Sequence, residues 1–251
     1  MTGTVLTDDA NGVRTLTLNR PERLNALNDE LLADFAAALE AAASDATVRV
    51  ILIRGAGRAF CAGDDLKDFT DQIGGEAVAR AYVDAIQVIT RHLVLGDKIV
   101  VGAIHGWAVG GGFEWVIDCD LAVLAGSTRC FFPEIKWGMF PTGAATTLLP
   151  RAVGLPKARE MFLLGEIYTA AQLVEMGLAW KSVADDAVFD EAAATATRIA
   201  ELPQVAVRDL KRVLNRTGGL DVEGAIALET DATVRSFLDP ETARRVKEFT
   251  R

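Results

Sequence analysis

An α/β core followed by a helical C-terminal region is the fold class that the sequence predicts. Two observations carry it: short apolar, β-branched runs alternate with helix-length amphipathic runs through the first half, and beyond Pro141 the helical pattern takes over. Val5-Leu6-Thr7 and Val13-Arg14-Thr15-Leu16-Thr17-Leu18 alternate with period two around Asp8-Asp9-Ala10-Asn11-Gly12, which predicts a hairpin turned at Asn-Gly. Asn28 is placed to cap a helix running to about Ala43, with Leu31, Leu32, Phe35 and Leu39 on one face. Val48 to Ile53 then reads as a buried strand, completing a β-α-β unit. The order repeats with a helix from Glu76 to His92, a strand from Ile99 to Ile104, a glycine-rich helix start at Gly110 to Gly112 and a strand from Leu121 to Ala125. Helices are predicted from Pro156 to Leu164, Ala170 to Met176, Asp185 to Glu201, Pro203 to Asn215, Gly219 to Leu238 and Pro240 to Phe249. Leu202-Pro203 punctuates this run, so the expected organisation is a core over residues 1–200 and a helical region over 201–251.

With 251 residues, half of them hydrophobic, the chain has enough apolar surface for a sizeable core. Its formal charge of −9 argues against broad binding to nucleic acid or to an anionic membrane, both of which need basic surface, although a local basic patch remains compatible with one phosphorylated ligand. The start, Met1-Thr2-Gly3-Thr4, has no basic segment leading into an apolar run, and no stretch approaches the roughly 20 apolar residues of a membrane span, so a soluble cytoplasmic protein is expected. Cys61, Cys119 and Cys130 lack CxxC or zinc-like spacing, which predicts neither disulfides nor a metal site. Cys61 reads as a small loop residue rather than a nucleophile, because neither histidine has a recognisable base motif around it.

Three segments carry the chemistry. They are Ala59-Phe60-Cys61-Ala62-Gly63-Asp64-Asp65-Leu66-Lys67; Val109-Gly110-Gly111-Gly112-Phe113-Glu114; and Phe132-Pro133-Glu134-Ile135, whose glutamate follows Glu114 by 20 residues. With Asn19-Arg20-Pro21, Leu24-Asn25-Ala26-Leu27 and Ala152-Val153-Gly154, the ordered set resembles the enoyl-CoA hydratase/isomerase (crotonase) superfamily over nearly the whole chain.

The resemblance implies a ClpP-like spiral of β-β-α turns, a C-terminal region used in trimer formation, and a homo-trimer or a dimer of trimers. It implies an acyl-CoA thioester as substrate, with CoA carried by the substrate and no separate cofactor. The N–H groups of Asp64 and Gly111 would form an oxyanion hole, and Glu114 and Glu134 would be the acid/base pair. Arg23, Leu24 and Ala26 match the segment that passes the nucleotide. Ala62, Gly63, Asp65, Leu66 and Lys67 match the loop beside the adenine, and Trp107, Gly110, Pro133 and Trp137 complete the expected substrate-binding set.

Glutamate suits such work because burial and a second carboxylate both raise its pKa from about 4.3. Asp64 stands where the family often has a small or uncharged residue, and its carboxylate, which would oppose an oxyanion, is expected to face solvent or Lys67. Ala144 and Ala145 replace the paired glycines often found there, which puts the acyl substrate in question more than the fold. Trp107, Phe113, Phe131, Phe132, Trp137 and Phe140 are either pocket walls for a bulky acyl group or core and interface packing. Three functions remain open: hydration of an enoyl-CoA with both glutamates, double-bond isomerisation with one, and non-catalytic acyl-CoA binding or sensing.

Overall fold

A computed structural model describes residues 3–67 and 74–249. Among the described residues nine strands form two sheets. Strands β1 (Val5–Ala10), β2 (Val13–Leu18), β3 (Val50–Gly55), β4 (Ile99–Ile104), β6 (Leu121–Ala125) and β9 (Lys181–Val183) lie side by side in that order, while β5 (Trp107–Val109), β7 (Arg129–Phe131) and β8 (Tyr168–Thr169) make the smaller sheet. The β1-β2 hairpin is antiparallel, pairing Ala10 with Val13 across Asn11-Gly12, and the remaining pairs of the large sheet are parallel.

The chain alternates between the sheets and then enters a helix. β4 leads to β5 and helix α3 (Gly111–Asp118), and β6 leads to β7 and helices α4 (Ala145–Val153) and α5 (Leu155–Leu164). After β3 the second step is a single residue, Cys61, bridged to Ala108 of β5, before helix α2 (Glu76–Thr90). These repeated β-β-α turns form the spiral that the resemblance implies.

Both faces of the central strands β3, β4 and β6 are buried, and these strands are accordingly near-continuous apolar runs. Ile51 and Ile53 of β3 face one core cluster with Leu31, Leu32, Phe35 and Leu39 of helix α1 (Asp29–Ser44). Val50 and Leu52 face the other, with Val188, Ala192, Ala196 and Ala200 of helix α7 (Val188–Ala200). Asn28 caps α1 by accepting the Leu31 N–H at 3.0 Å.

Several predicted bounds shift for local reasons. β3 begins at Val50 rather than Val48, because the Asp45 side chain accepts the Thr47 N–H and its carbonyl accepts the Val48 N–H, making a turn first. The helix from Glu76 ends at Thr90 and continues as a wider π turn over Arg91–Leu95. Helix α4 was not expected from the sequence, and helix α6 (Ala170–Glu175) starts with a Thr169/Gln172 capping box.

The C-terminal helices are α8 (Gln204–Thr217), α9 (Val222–Leu238) and α10 (Pro240–Phe249). Lys211 of α8 is buried against the spiral, donating to Leu93 O at 2.6 Å, Lys98 O at 2.9 Å and Asp120 Oδ2 at 2.7 Å. Asp209 beside it accepts from Arg235 of α9. In contrast, α9 and α10 bury no residue completely, and Val222, Phe237, Leu238 and Phe249 stand exposed. Among the described residues no helix is long and apolar enough to cross a membrane.

Candidate active site

The small sheet aligns the three sequence segments. Cys61 N–H donates to Trp107 O and Val109 N–H to Cys61 O, which stitches the 61–64 loop along β5 immediately before the glycine run. On the loop's other edge Leu27 N–H donates to Gly63 O and Asp65 N–H to Leu27 O. That parallel bridge is centred on Asp64, so the Asp64 N–H points away from Leu27. Gly111 is the first residue of α3, and its N–H has no acceptor within the helix. The two expected oxyanion donors thus sit on adjoining, mutually braced segments.

Gly110 has a φ of 53°, and a Cβ there would lie 2.6 Å from Glu134 Oε1. Only glycine allows that backbone turn and that close carboxyl together. Glu114 lies on the other side of the same run, with its Oε2 4.0 Å from where a Gly111 Cβ would be. Consecutive glycines therefore separate the two glutamates.

The glutamates are held differently. Glu114 is buried in α3, and Thr142 grips both its oxygens: the backbone N–H donates to Oε1 at 2.6 Å and the hydroxyl to Oε2 at 2.7 Å. Burial still dominates, lifting the Glu114 carboxyl to about 7 against the lowering effect of Thr142. Glu134 stands on a 3-10 turn, Glu134–Trp137, after Pro133. It is 6% exposed, its Oε2 has no partner among the described residues, and burial with the neighbouring charges of Glu114 and Asp64 pushes it up to about 8.

A cavity of about 420 Å³ opens on this centre. Ala62, Gly63, Asp64, Leu66, Gly110, Pro133, Glu134 and Trp137 line it, and so do Met139, Phe162 and Leu163, whose participation the sequence pattern did not show. Glu114 and Gly111 lie behind this lining. Leu24 and Trp107 instead border a separate hollow with Arg58 and Arg129. Phe113 and Phe132 stack within the core, whereas Phe140 is exposed.

Three further placements revise or complete the sequence reading. The Asp64 carboxylate does not turn to solvent or to Lys67: Tyr82 of α2 donates its hydroxyl to Asp64 Oδ1 at 2.7 Å, and burial raises the Asp64 pKa. Arg23 forms a two-pronged pair with Asp65, at 3.0 and 2.5 Å, and Arg20 reaches the same carboxylate at 3.2 Å. Burial alone would raise the Asp65 carboxyl, but the guanidiniums outweigh it and hold it low. Ala26, nearly buried, accepts a hydrogen bond from Arg20 at its carbonyl, and Lys67 is exposed. Cys61 is fully buried with its thiol pushed up to about 12, the profile of an inert packing residue.

The Thr142 clamp was not legible in the sequence. Gly143, at φ 56°, passes so close to Glu114 that a Cβ would lie 2.7 Å from Oε2, and Ala144 follows in the left-handed region at φ 52°. A residue with a side chain costs roughly 1–2 kcal/mol there, which accounts for the glycine expected at that place. The departure at Ala144 thus falls on the turn that holds Glu114.

Comparison with known proteins agrees with this architecture. The profile of a family described as enoyl-CoA hydratase/isomerase matches residues 8–247. A 1,2-epoxyphenylacetyl-CoA isomerase of Escherichia coli is 34% identical over 98% of both chains, and a probable enoyl-CoA hydratase of Bacillus subtilis is 31% identical over 94% of this chain and 92% of its own. The crystal structure of an enoyl-CoA hydratase from Bacillus anthracis superposes with a TM-score of 0.92 at 28% identity, covering 98% of this chain and 96% of that one.

Proposed function

The chain belongs to the enoyl-CoA hydratase/isomerase family, and within it we propose that it is a hydro-lyase that adds water to, or removes it from, an α,β-unsaturated acyl-CoA. The observation that carries this reading is the pair of buried carboxyls flanking Gly110 and Gly111, one lifted to about 7 and the other to about 8. Two carboxyls displaced to this range supply a base and an acid near neutral pH.

In the proposed reaction the thioester oxygen takes hydrogen bonds from the Asp64 and Gly111 N–H groups as negative charge builds on it. Each such donor is worth roughly 2.7–4 kcal/mol. A single water lies between the carboxyls. Glu114 accepts one of its protons while the oxygen bonds to the β-carbon, and Glu134 delivers a proton to the α-carbon. Thr142 supports this division of labour, since two hydrogen bonds favour the ionised form of Glu114. The CoA moiety follows the 62–67 loop, with Arg23 and Lys67 supplying positive charge near its phosphates. Residues 201–251 form the trimerisation region, their exposed apolar side chains covered by other copies in a trimer or hexamer, and the protein works in the cytoplasm.

One observation favours a second reading. Glu134 lines the cavity with an oxygen that has no partner among the described residues, whereas both oxygens of Glu114 are occupied by Thr142. A double-bond isomerase needs only one such shuttle. Incubation with a panel of crotonyl-CoA analogues decides between them: hydration consumes the conjugated alkene and adds the mass of one water, isomerisation moves the alkene at constant mass, and tight binding without turnover leaves a sensor.

A further inference from the structure

Besides Glu134, the reaction cavity is lined by a carboxyl that the proposed chemistry does not use. Its walls are largely apolar, built by Leu66, Phe131, Trp137, Met139, Phe162 and Leu163, yet Asp64 stands among them. Placing a carboxyl in such a wall is costly unless it is hydrogen-bonded, and Tyr82 supplies a bond at 2.7 Å to Oδ1. Tyr82 is itself buried, 8% exposed on α2, so the carboxyl is held by a ring that packing fixes. The hydroxyl bond engages Oδ1; a carboxyl has acceptor positions beyond one such bond.

Position limits what this pair can touch. The Asp64 N–H is a proposed donor to the thioester oxygen, so the side chain on the same residue reaches only the first few carbons of the acyl group. A purely hydrocarbon chain there would strip water from Asp64 and return no hydrogen bond. A chain carrying a donor near its carbonyl would satisfy it.

We infer that Asp64, held by Tyr82, is a specificity-determining residue that selects acyl-CoA substrates bearing a hydroxyl group within a few carbons of the thioester, beyond the carbon that takes up water. This rests on the acyl-CoA reading above. A neutral hydroxyl fits better than an ammonium group, because burial disfavours the ionised forms of both Asp64 and Glu134 and so weakens their pairing with a cation. The Asp64 carboxyl accepts from a hydroxyl in either protonation state, and when protonated it also donates to one.

The test is calorimetric binding of two saturated probes, which have no alkene to hydrate, freshly prepared 4-hydroxybutyryl-CoA and butyryl-CoA, to the parent protein and to Asp64→Asn, Asp64→Leu and Tyr82→Phe. The parent is expected to bind the hydroxylated probe about 10-fold more tightly, the worth of one good hydrogen bond in a dry site. Asp64→Leu should abolish that preference, Tyr82→Phe should reduce it by loosening the carboxyl, and Asp64→Asn should retain part of it. Equal binding of both probes by the parent overturns the inference while leaving the acyl-CoA reading intact. A preference that survives in both Asp64→Leu and Tyr82→Phe overturns it too, by placing recognition elsewhere. Failure of the parent to bind either probe overturns the acyl-CoA reading itself and the inference with it.

Discussion

Replacing Glu134 by glutamine should make the protein's stability less sensitive to pH, and the size of the effect follows from burial. The Glu134 carboxyl titrates at about 8 in the folded chain, against about 4.3 when unfolded. Between those values the unfolded state has released its proton and the folded state has kept it. Stability contributed by the protonated group is therefore complete below the unfolded value and is lost as pH rises towards the folded one, by roughly 1.4 kcal/mol per pH unit. From about pH 5 to about pH 8 the limit is about 4 kcal/mol, and water admitted through the open cavity lowers the expectation to about 2 kcal/mol. Glu114 titrates in the same window but is present in both proteins, so the difference between Glu134→Gln and the parent isolates Glu134 and its coupling to Glu114. Urea unfolding at fixed protein concentration, repeated across this range, measures it. The variant's advantage should grow with pH; an advantage that stays flat would refute the claim that Glu134 is an acid whose pKa burial raises.

Other residues of the site have separable consequences. Thr142→Val removes the hydroxyl bonded to Glu114 Oε2 and should move the acidic limb of the pH–rate profile, set by ionisation of Glu114, upward, with roughly 10-fold loss of rate at neutral pH; an unchanged profile would show that the clamp does not tune Glu114. Gly143→Ala places a methyl 2.7 Å from Glu114 Oε2 at a positive φ and should cost activity far more than it costs cofolding of the distant α7 face, readable as lost turnover with a retained circular dichroism spectrum. The exposed Val222, Phe237, Leu238 and Phe249 predict self-association, and a monodisperse monomer by light scattering at micromolar concentration would contradict it.

Much of the scaffold was legible because its signals are local. The strands at 99–104 and 121–125 are uninterrupted apolar runs, and Asn28 announces its helix through a contact three residues away. The short strands β5, β7, β8 and β9 have two or three residues each, too few to display a period, and exist because the spiral brings their edges together. The glycine run and its two glutamates could be picked out from motif and spacing. What could not be read were contacts made across the fold: Thr142 reaches Glu114 from 28 residues away, and Tyr82 of helix α2 reaches Asp64 in the loop beside β5. The Asp64 side chain was expected outside for a sound electrostatic reason, and a tyrosine hydroxyl overrides it. Arg23 likewise was expected beside the nucleotide from the family resemblance, while its pairing with Asp65 depends on the loop's return beside Leu27.

The central claim is that two glutamates act on one water at an acyl-CoA thioester. Its most direct test is mass spectrometry of crotonyl-CoA after incubation with the parent, Glu114→Gln, Glu134→Gln and the double variant, with acyl-CoA binding measured in parallel. The parent should add one water. Each single variant should bind the thioester yet hydrate at least about 100-fold more slowly, and the double variant should be little worse than either, because the two groups serve one proton-transfer unit. Parent-like hydration by Glu114→Gln, or a product of unchanged mass with its double bond moved, would contradict the account.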